Sequence, residues 1–422
     1  MDLTSIHWSK RYGSPFDRQT ARPIRILVDT KGADELEASQ LASQNLLLEL
    51  GHLDHIEMYL TNPGEHPHVQ YLSSIGGCLP IQTGVKRWRG IAGYGDLLER
   101  SESEANPEAW LANEILVHTC PALNIDILVA NQVGELGTSG AKGVNVLRPR
   151  AALLLVGLLL RSRDVFDLGR YHGSDGYSFY HYLAATHIRV YPDLALEPKR
   201  LRDGVAERSQ SIHVRVARVL RAADLIASAR LAERPSGQIE TVTYHLDYLL
   251  LIVSGVFDAL AEILHIAGQH ELPGKEAAFG REKFTDDLSR SLPQVHDHVS
   301  SPGFMSPLKV IRTLRNRIHT SYYPELVHWT TTSKTQRLII TQEDEEVIRS
   351  QASLGFDLEA WGFQDGERMT VDPVLFAFST VRYALNELNR VLEILSNGLS
   401  VPDEFPETEW YSNVRLLGGL WG

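Results

Sequence analysis

The run Ile24-Arg-Ile-Leu-Val-Asp29 is a short, mainly apolar segment that ends on a carboxylate. Apolar residues here follow one another instead of alternating with polar ones, which is typical of a strand buried on both faces of a parallel sheet. Asn124-Ile-Asp-Ile-Leu-Val-Ala130 repeats this pattern, and Val144-Asn-Val-Leu147 is a third strand-like run. These three segments predict a parallel sheet.

Helical patterns lie between and after the predicted strands. Residues 34–50 and 106–122 carry apolar residues at near-helical spacing, and Pro149 opens a further apolar helix. Strands that alternate with helices favour a compact α/β domain. We therefore expect a small parallel-sheet domain over residues 21–165, preceded by a flexible arm over residues 1–20.

The middle of the chain, residues 166–235, is predicted to be a helical linker region. It opens with an aromatic segment that we interpret as a loop, whose rings are Tyr171, Tyr177, Phe179, Tyr180 and Tyr182. A basic helix follows around Ser209–Leu231.

The C-terminal part is predicted to be helical almost throughout. Long helices are expected over Thr241–Ala267, residues 305–320 and Asp372–Leu399, with one short strand at Leu338–Thr341. The fold class is therefore α/β plus all-α. The helical bundle covers residues 236–400, and a tail follows over residues 401–422.

The charge of the chain limits what it can bind. It has 422 residues, with 41 Lys and Arg against 53 Asp and Glu, and a formal net charge of −12. Such a chain has no overall attraction to nucleic acid, so any RNA contact must come from a local basic patch. One patch comprises Arg189, Lys199, Arg200, Arg202, Arg208, Arg215, Arg218 and Arg221, and we interpret it as a solvated helix face. A second comprises Lys309, Arg312, Arg315 and Arg317.

Cysteine content and hydropathy bear on location. Cys78 and Cys120 are too few for a disulfide framework or a zinc site, which favours a reducing compartment. Residues 1–10 lack the basic and then apolar pattern of a signal peptide. The run Ala151–Leu160, the longest apolar one, is shorter than the roughly 20 residues that cross a bilayer. We expect a cytoplasmic protein with no membrane partner.

The segment with the clearest chemistry is Leu308-Lys-Val-Ile-Arg-Thr-Leu-Arg-Asn-Arg-Ile-His-Thr-Ser-Tyr322. On a helix, Arg315 and His319 lie one turn apart, and Arg312 lies two turns before His319. Histidine can exchange a proton near neutral pH, and arginine can stabilise the charge that develops on a phosphate. Asn316 can orient either group by hydrogen bonds. This set suits phosphodiester cleavage without a metal.

These residues resemble the Arg-x(4–6)-His motif of the HEPN superfamily, in which Asn often follows Arg. The upstream Phe257-Asp-Ala-Leu-Ala261 is similar to the long first helix of such bundles. The resemblance implies a dimeric, metal-independent endoribonuclease of toxin or antiviral type that uses no cofactor, cuts RNA and has a possible regulatory partner protein. It also implies that His319 is the acid/base and that Arg315 with Asn316 binds phosphate.

Two arginines compete for the catalytic position. Three residues separate Arg315 from His319, one fewer than the family spacing, whereas six separate Arg312 from His319. However, Arg312 is followed by Thr313 and not by Asn. The sequence leaves this choice open.

The order of elements in the N-terminal part resembles that of PIN-type nuclease domains, which hold divalent cations on carboxylates at strand ends. Asp29 matches the first acidic position of that family, and Glu49 or Glu108 could supply others. Where the family has Thr-x-Asp, this chain reads Ala130-Asn-Gln132. We therefore expect an inactive PIN-like fold, with Asp29 as a doubtful metal ligand and Asp126 as a structural strand-end residue.

Two other functions remain open on the sequence. One is a catalytically silent bundle that binds nucleic acid or a nucleotide. The other is a metal-dependent nuclease centred on Asp29. An intact Arg and His pair favours the endoribonuclease over both.

The first prediction separates these by their need for metal. If Arg315 and His319 carry out the cleavage, RNA cutting continues in excess EDTA, because neither side chain requires a cation. Cleavage of a labelled RNA with and without chelator is the measurement. Activity that EDTA abolishes and Mg²⁺ or Mn²⁺ restores would place the chemistry at Asp29.

Overall fold

The computed structural model describes residues 3, 6–8, 13–17, 22–29, 36–60, 70–71, 120–121, 123–130, 144–166, 175–188, 205–232, 238–269, 276–318, 325–329 and 334–395. The chain divides into two compact units. Unit 1 comprises Met1–Arg170, Leu231–Glu233 and Leu416–Leu420. Unit 2 comprises Tyr171–Arg230, Arg234–Arg415 and Trp421–Gly422.

Unit 1 contains a parallel sheet, as the apolar runs predict. Its strands are β1 (Ile24–Val28), β2 (Ile56–Leu60), β3 (Gln70–Tyr71), β4 (Ile127–Val129) and β5 (Asn145–Leu147). Their order is β3-β2-β1-β4-β5, and every neighbouring pair is parallel. The sequence interpretation missed β2, although its pattern, with Glu57 second in an otherwise apolar run, matches that of β1 with Arg25. Strands β2 and β3 lie on one side of β1, and β4 and β5 lie on the other side, so the direction of strand addition reverses between β1 and β4.

Two helices cover this sheet in the described residues. Helix α1 (Ala38–Glu49) continues into a 3₁₀ turn at Leu50–His52, and α2 (Pro149–Ser162) begins with proline at its first position. Pro149 fits there because the first turn of a helix needs no backbone donor from it. The two helices pack against each other, and α2 also contacts β4 and β5. Both helices lie where the periodicity predicts them.

A buried ion pair joins the amino ends of β1 and β4. Asp126, 4% exposed, accepts hydrogen bonds from Arg22 Nη1 and Nη2 at 2.7 and 2.8 Å. The backbone N–H of Arg25 donates to the same carboxylate at 2.9 Å. Because the strands are parallel, these groups meet at one edge of the sheet, which makes Asp126 a structural residue.

The N-terminal segment, expected to be a flexible arm, buries most of the side chains that the structure describes in it. Trp8 and Phe16 are buried, with ring centroids 5.8 Å apart. The backbone N–H of His7 donates to Asn145 Oδ1, and Asn145 Nδ2 donates back to the His7 carbonyl. Asn145 begins β5, so this segment adds to the sheet domain.

Unit 2 is mainly helical in its described parts. Its helices are α3 (Gly176–His187), α4 (Val205–Leu231), α5 (Gln238–Ala267), α6 (Glu282–Ser291), α7 (Pro293–Val299), α8 (Pro302–Arg317), α9 (Gln342–Ala352) and α10 (Pro373–Leu395). Helix α5 packs against α8 and α10, and α8 packs against α9. The ring of Phe257 on α5 meets those of Phe304 and Tyr383 at centroid distances of 5.7 and 5.5 Å. Offset and edge-to-face ring pairs of this kind fix the helices in register.

Helix α5 also contains the one stretch in the described residues that is long and apolar enough to cross a membrane. The stretch is Glu240–Ala267, and 61% of its most apolar window is buried inside the protein. Its contacts with α8 and α10 account for this apolar composition.

The aromatic segment predicted to be a loop is largely helical, which corrects that interpretation. Asp175 caps α3, since its carboxylate accepts a hydrogen bond from the Ser178 backbone N–H at 2.8 Å. Phe179, Tyr180 and Leu183 are buried along one face. Aromatic residues are only moderate helix formers, so burial of this face decides the conformation.

The C-terminal part is not all-α, which is a second correction. Four strands form an antiparallel sheet of order β6-β7-β9-β8. They are β6 (Glu325–Trp329), β7 (Lys334–Ile339), β8 (Phe363–Gln364) and β9 (Thr370–Val371). Two of these strands have only two residues, too short for a periodic signal. Arg337 on β7 stabilises them by donating to the Gly362 carbonyl and to Thr370 Oγ1.

The second prediction compares two ion pairs of unit 1. Asp126→Ala leaves the Arg22 guanidinium without its buried partner, and such losses cost about 3–5 kcal/mol. Glu57→Ala removes the half-exposed partner of Arg25, and exposed pairs contribute roughly 1 kcal/mol or less. Urea unfolding of both variants measures the difference. Equal losses of stability would show that the Arg22–Asp126 pair does not anchor the sheet.

Candidate active site at the end of helix α8

Helix α8 is held so that its last turns have a defined position. Ser301 caps its start, accepting a hydrogen bond from the Phe304 backbone N–H at 3.3 Å, and Pro302 opens the helix. Phe304, Ile311 and Leu314 are buried on one face. Arg312, Arg315 and Arg317 lie beside this buried face at different angles around the helix axis. Each of them therefore meets different neighbours.

Arg312 forms its contacts with neighbours within the bundle. Its Nη1 donates to the Phe279 carbonyl at 2.7 Å, and its Nη2 lies 3.5 Å from Asp258 Oδ1 on α5. Burial lowers the pKa of Arg312, although the negative charge of Asp258 opposes this effect. These contacts give Arg312 a structural role: it ties α8 to α5.

Arg317 is bound to carboxylates on a different helix. Its Nε donates to Asp344 Oδ2 at 2.9 Å, and its Nη2 bonds Glu343. Hydrogen bonds to Asp344 and then Glu343 raise the pKa of Arg317. Both carboxylates lie in the first turn of α9, so Arg317 ties α8 to α9.

Arg315 keeps donors that its neighbours do not use. Its Nη1 donates to Asn316 Oδ1 at 3.1 Å, whereas its Nε is buried and has no hydrogen-bond partner among the described residues. A buried donor without a partner is costly and calls for an explanation, such as a ligand that completes it. Arg315 and Asn316, which are neighbours in the sequence, are hydrogen-bonded to each other, and their role in binding phosphate remains a prediction.

His319 lies outside the described residues. Helix α8 ends at Arg317, and the N–H of its C-cap, Ile318, bonds the Arg315 carbonyl. The placement of His319 one turn after Arg315 remains a prediction.

The doubtful metal position in unit 1 has a defined place in the sheet. Asp29 follows β1 directly, and its backbone N–H donates to the Val129 carbonyl at the end of β4. It thus lies at the carboxyl edge where the strand order reverses, which is the usual position of ligand sites in such sheets. Glu49 is exposed at the end of α1, and Glu108 lies outside the described residues. Across the described ranges, no group of three or more His, Cys, Asp or Glu residues could hold a metal ion.

The sequence interpretation missed a cleft in unit 2. Arg218 and Arg221 are exposed, as expected for a solvated helix face, and they also line a cleft of about 340 Å³ together with Tyr177 on α3 and Tyr244 on α5. The missed signal was the spacing of Tyr244 and Tyr248, because two tyrosines one turn apart on an apolar helix mark a face that is not in the core.

Comparison with known protein families, characterised proteins and solved structures gives no significant match to this chain. A function for it therefore depends on the chemistry of its own residues.

The third prediction separates the two arginines by stability. Arg312→Ala leaves the Phe279 carbonyl and Asp258 without their partner, and hydrogen bonds of a charged group contribute about 1.5–3 kcal/mol. Arg315→Ala changes the free energy of unfolding by roughly 0.5 kcal/mol or less, because it removes only a local bond to Asn316. Urea unfolding measures both. The reverse order would exchange the roles assigned to them.

Proposed function

We propose that this protein is a metal-independent endoribonuclease of toxin or antiviral-defence type, acting as a homodimer on RNA in the cytoplasm. Its active site comprises Arg315, Asn316 and His319. One observation carries this proposal: of the three arginines in the last two turns of α8, only Arg315 keeps a buried donor without a partner in the described structure. The resemblance of this segment to HEPN ribonucleases supports the same residues.

The proposed chemistry needs only groups of this chain. His319 accepts the proton of an RNA 2′-hydroxyl, and the resulting oxygen attacks the adjacent phosphorus. The bond to the 5′-oxygen breaks, and that oxygen takes up a proton, which leaves a cyclic phosphate and a 5′-hydroxyl. Arg315 stabilises the negative charge that builds up on the phosphate oxygens, and Asn316 keeps the guanidinium in place.

This proposal also decides between the arginines. Arg312 satisfies the family spacing to His319, but its guanidinium is already bound by Phe279 and Asp258. Moving it onto a phosphate would break both contacts. Arg315 can bind phosphate without such a loss, so we assign the catalytic arginine to Arg315.

For unit 1 we propose a PIN-like domain without nuclease activity. The strand order β3-β2-β1-β4-β5 and the place of Asp29 at the carboxyl edge support this interpretation. Gln132 stands where an active member of that family carries a carboxylate, and a single Asp29 is too few ligands for a catalytic cation.

The fourth prediction tests the active site directly. A general acid/base contributes roughly 10²–10⁴-fold to rate, so His319→Ala is expected to lose that factor while remaining folded. Arg315→Ala is expected to lose about 10²–10³-fold, as when one donor to a developing oxyanion is removed. His296→Ala on α7 is the matched control, since this half-buried imidazole lies on a different helix. RNA cleavage per folded molecule, alongside thermal melting, is the measurement.

The opposite result is equally clear. If His319→Ala melts early but cuts RNA normally, the imidazole acts only as a helix-end cation, whose effect on stability is at most about 2 kcal/mol. The silent binding module would then be the better function. Mixing His319→Ala chains with Arg315→Ala chains tests the homodimer, because regained activity requires the two residues to come from different subunits.

A further inference from the structure

Helices α4 and α5 of unit 2 lie side by side and run in opposite directions. Arg208 near the start of α4 bonds Glu262 near the end of α5, at 2.9 Å. Further along, the Arg215 side chain lies against Gly255, so close that a Cβ at this glycine would stand 2.9 Å from Arg215 Nε. The later part of α4 therefore faces the first turns of α5.

Helix α3 closes one side of this pair. Tyr180 Oη donates to the buried Asp224 carboxylate of α4 at 2.7 Å. The ring of His181 lies 4.9 Å from that of His213 on α4, and 3.9 Å from that of Tyr177. These contacts fix the walls of the cleft between α3, α4 and α5.

The floor of the cleft is positively charged. Arg218 and Arg221, both exposed, are one turn apart on α4, and neither forms a hydrogen bond or an ion pair with any residue that the structure describes. No carboxylate is among the described residues lining the cleft. The nearby Asp224 is engaged by Tyr180, and Asp175 caps α3. In a chain with a net charge of −12, this is a local site for an anion.

The rim of the cleft is aromatic. Tyr177, Tyr244 and Tyr248 are 64%, 68% and 36% exposed, and no other Phe, Tyr or Trp is as exposed among the residues whose side-chain burial the structure describes. All three line this one cleft. Aromatic rings that water can reach, set beside arginines, provide stacking surfaces for nucleic-acid bases.

Burial lowers the pKa values of His181, which lines the cleft, and of His213, whose ring lies next to that of His181. Burial, and then the positive charge of Arg218, lower the pKa of His181, with Asp175 opposing them. Burial and the nearby His181 lower the pKa of His213 to about 4. A neutral imidazole at His181 can donate and accept hydrogen bonds at the edge of a base.

The cleft is one end of a longer groove. A neighbouring depression of about 410 Å³ along α4 shares Val214 and Arg218 with it, and Arg215 and Gln210 line its other part. Glu207 lies at the far end. An elongated groove with successive basic positions fits a chain of phosphates better than one mononucleotide.

We infer that the cleft between α3, α4 and α5 binds single-stranded RNA, with phosphates on Arg218 and Arg221 and a base stacked on Tyr244 or Tyr248. This inference concerns binding and is independent of cleavage at the end of α8. It gives the exposed tyrosines one common role with Arg218 and Arg221, which have no partner among the described residues.

The test uses a fluorescent 2′-O-methyl oligouridylate, which lacks the attacking hydroxyl and therefore cannot be cut. With the full chain, Arg218→Gln combined with Arg221→Gln is expected to weaken binding by roughly 100-fold in fluorescence anisotropy, on the order of tenfold for each charge-assisted contact. The slope of log affinity against log salt falls by about 1.4, at about 0.7 per contacted phosphate. Arg382→Gln, at an exposed arginine of α10, removes one positive charge outside the cleft and is expected to leave both values unchanged.

Stacking is tested separately at Tyr244. Tyr244→Ala is expected to weaken binding about tenfold, within the usual range for a base on an aromatic ring, whereas Tyr244→Phe keeps near-normal affinity because the ring remains. This tyrosine is mostly exposed, so neither change is expected to unfold the protein.

Three outcomes would overturn the inference. The oligouridylate could fail to bind, or it could bind the double arginine variant as tightly as the natural chain, which would place RNA elsewhere. Alternatively, uridine monophosphate could displace the oligonucleotide at concentrations near the oligonucleotide's own dissociation constant, which would make the cleft a small-molecule site. Failure at the end of α8 looks different, because His319→Ala then cuts RNA normally whatever the cleft binds.

Discussion

The burial of helix α5 is the constraint on which unit 2 depends. The helix is too apolar to face water, so α8 and α10 cover it, and Phe257 fixes their positions through contacts with Phe304 and Tyr383. Two of its four carboxylates, Asp258 and Glu262, form ion pairs with neighbouring helices. Asp258 forms an ion pair with Arg312, and Glu262 forms one with Arg208. These ion pairs hold α8 and α4 against α5. Each candidate site lies on a helix that α5 has positioned.

Much of this arrangement could be predicted because it follows from local patterns. Uninterrupted apolar runs gave β1, β4 and β5, and the periodicity gave α1, α2, α5, α8 and α10. The errors have a common cause, which is tertiary packing that outweighs local preference. The aromatic-rich residues 176–187 are helical with one face buried, and the two-residue strands β8 and β9 depend on pairing with each other and with β7, and on hydrogen bonds from Arg337.

The candidate sites show the same limit more sharply. Sequence spacing placed Arg312, Arg315 and Arg317 on one basic helix, but not their partners. The partners of Arg312 and Arg317 come from elsewhere in the chain and are Phe279, Asp258, Asp344 and Glu343. Of the three arginines, only Arg315 has a buried donor without a partner among the described residues. In the same way, Arg218 and Arg221 looked solvated because the tyrosines that share their cleft are on other helices. The residue types indicated which reactions the side chains could support. Whether a given side chain can bind a ligand depends on its contacts with residues that are distant in the sequence.

The two ion-paired carboxylates on α5 have a consequence for how substitutions combine. Asp258 and Glu262 are four residues apart, so they are like charges on one face of a helix, where they repel each other by roughly 0.2–0.5 kcal/mol. Arg312 and Arg208 each offset one of them from opposite sides. Helices α8 and α4 are therefore tied to neighbouring turns of α5, each by one ion pair. Replacing both arginines would remove both partners at once and leave the two carboxylates to repel each other one turn apart.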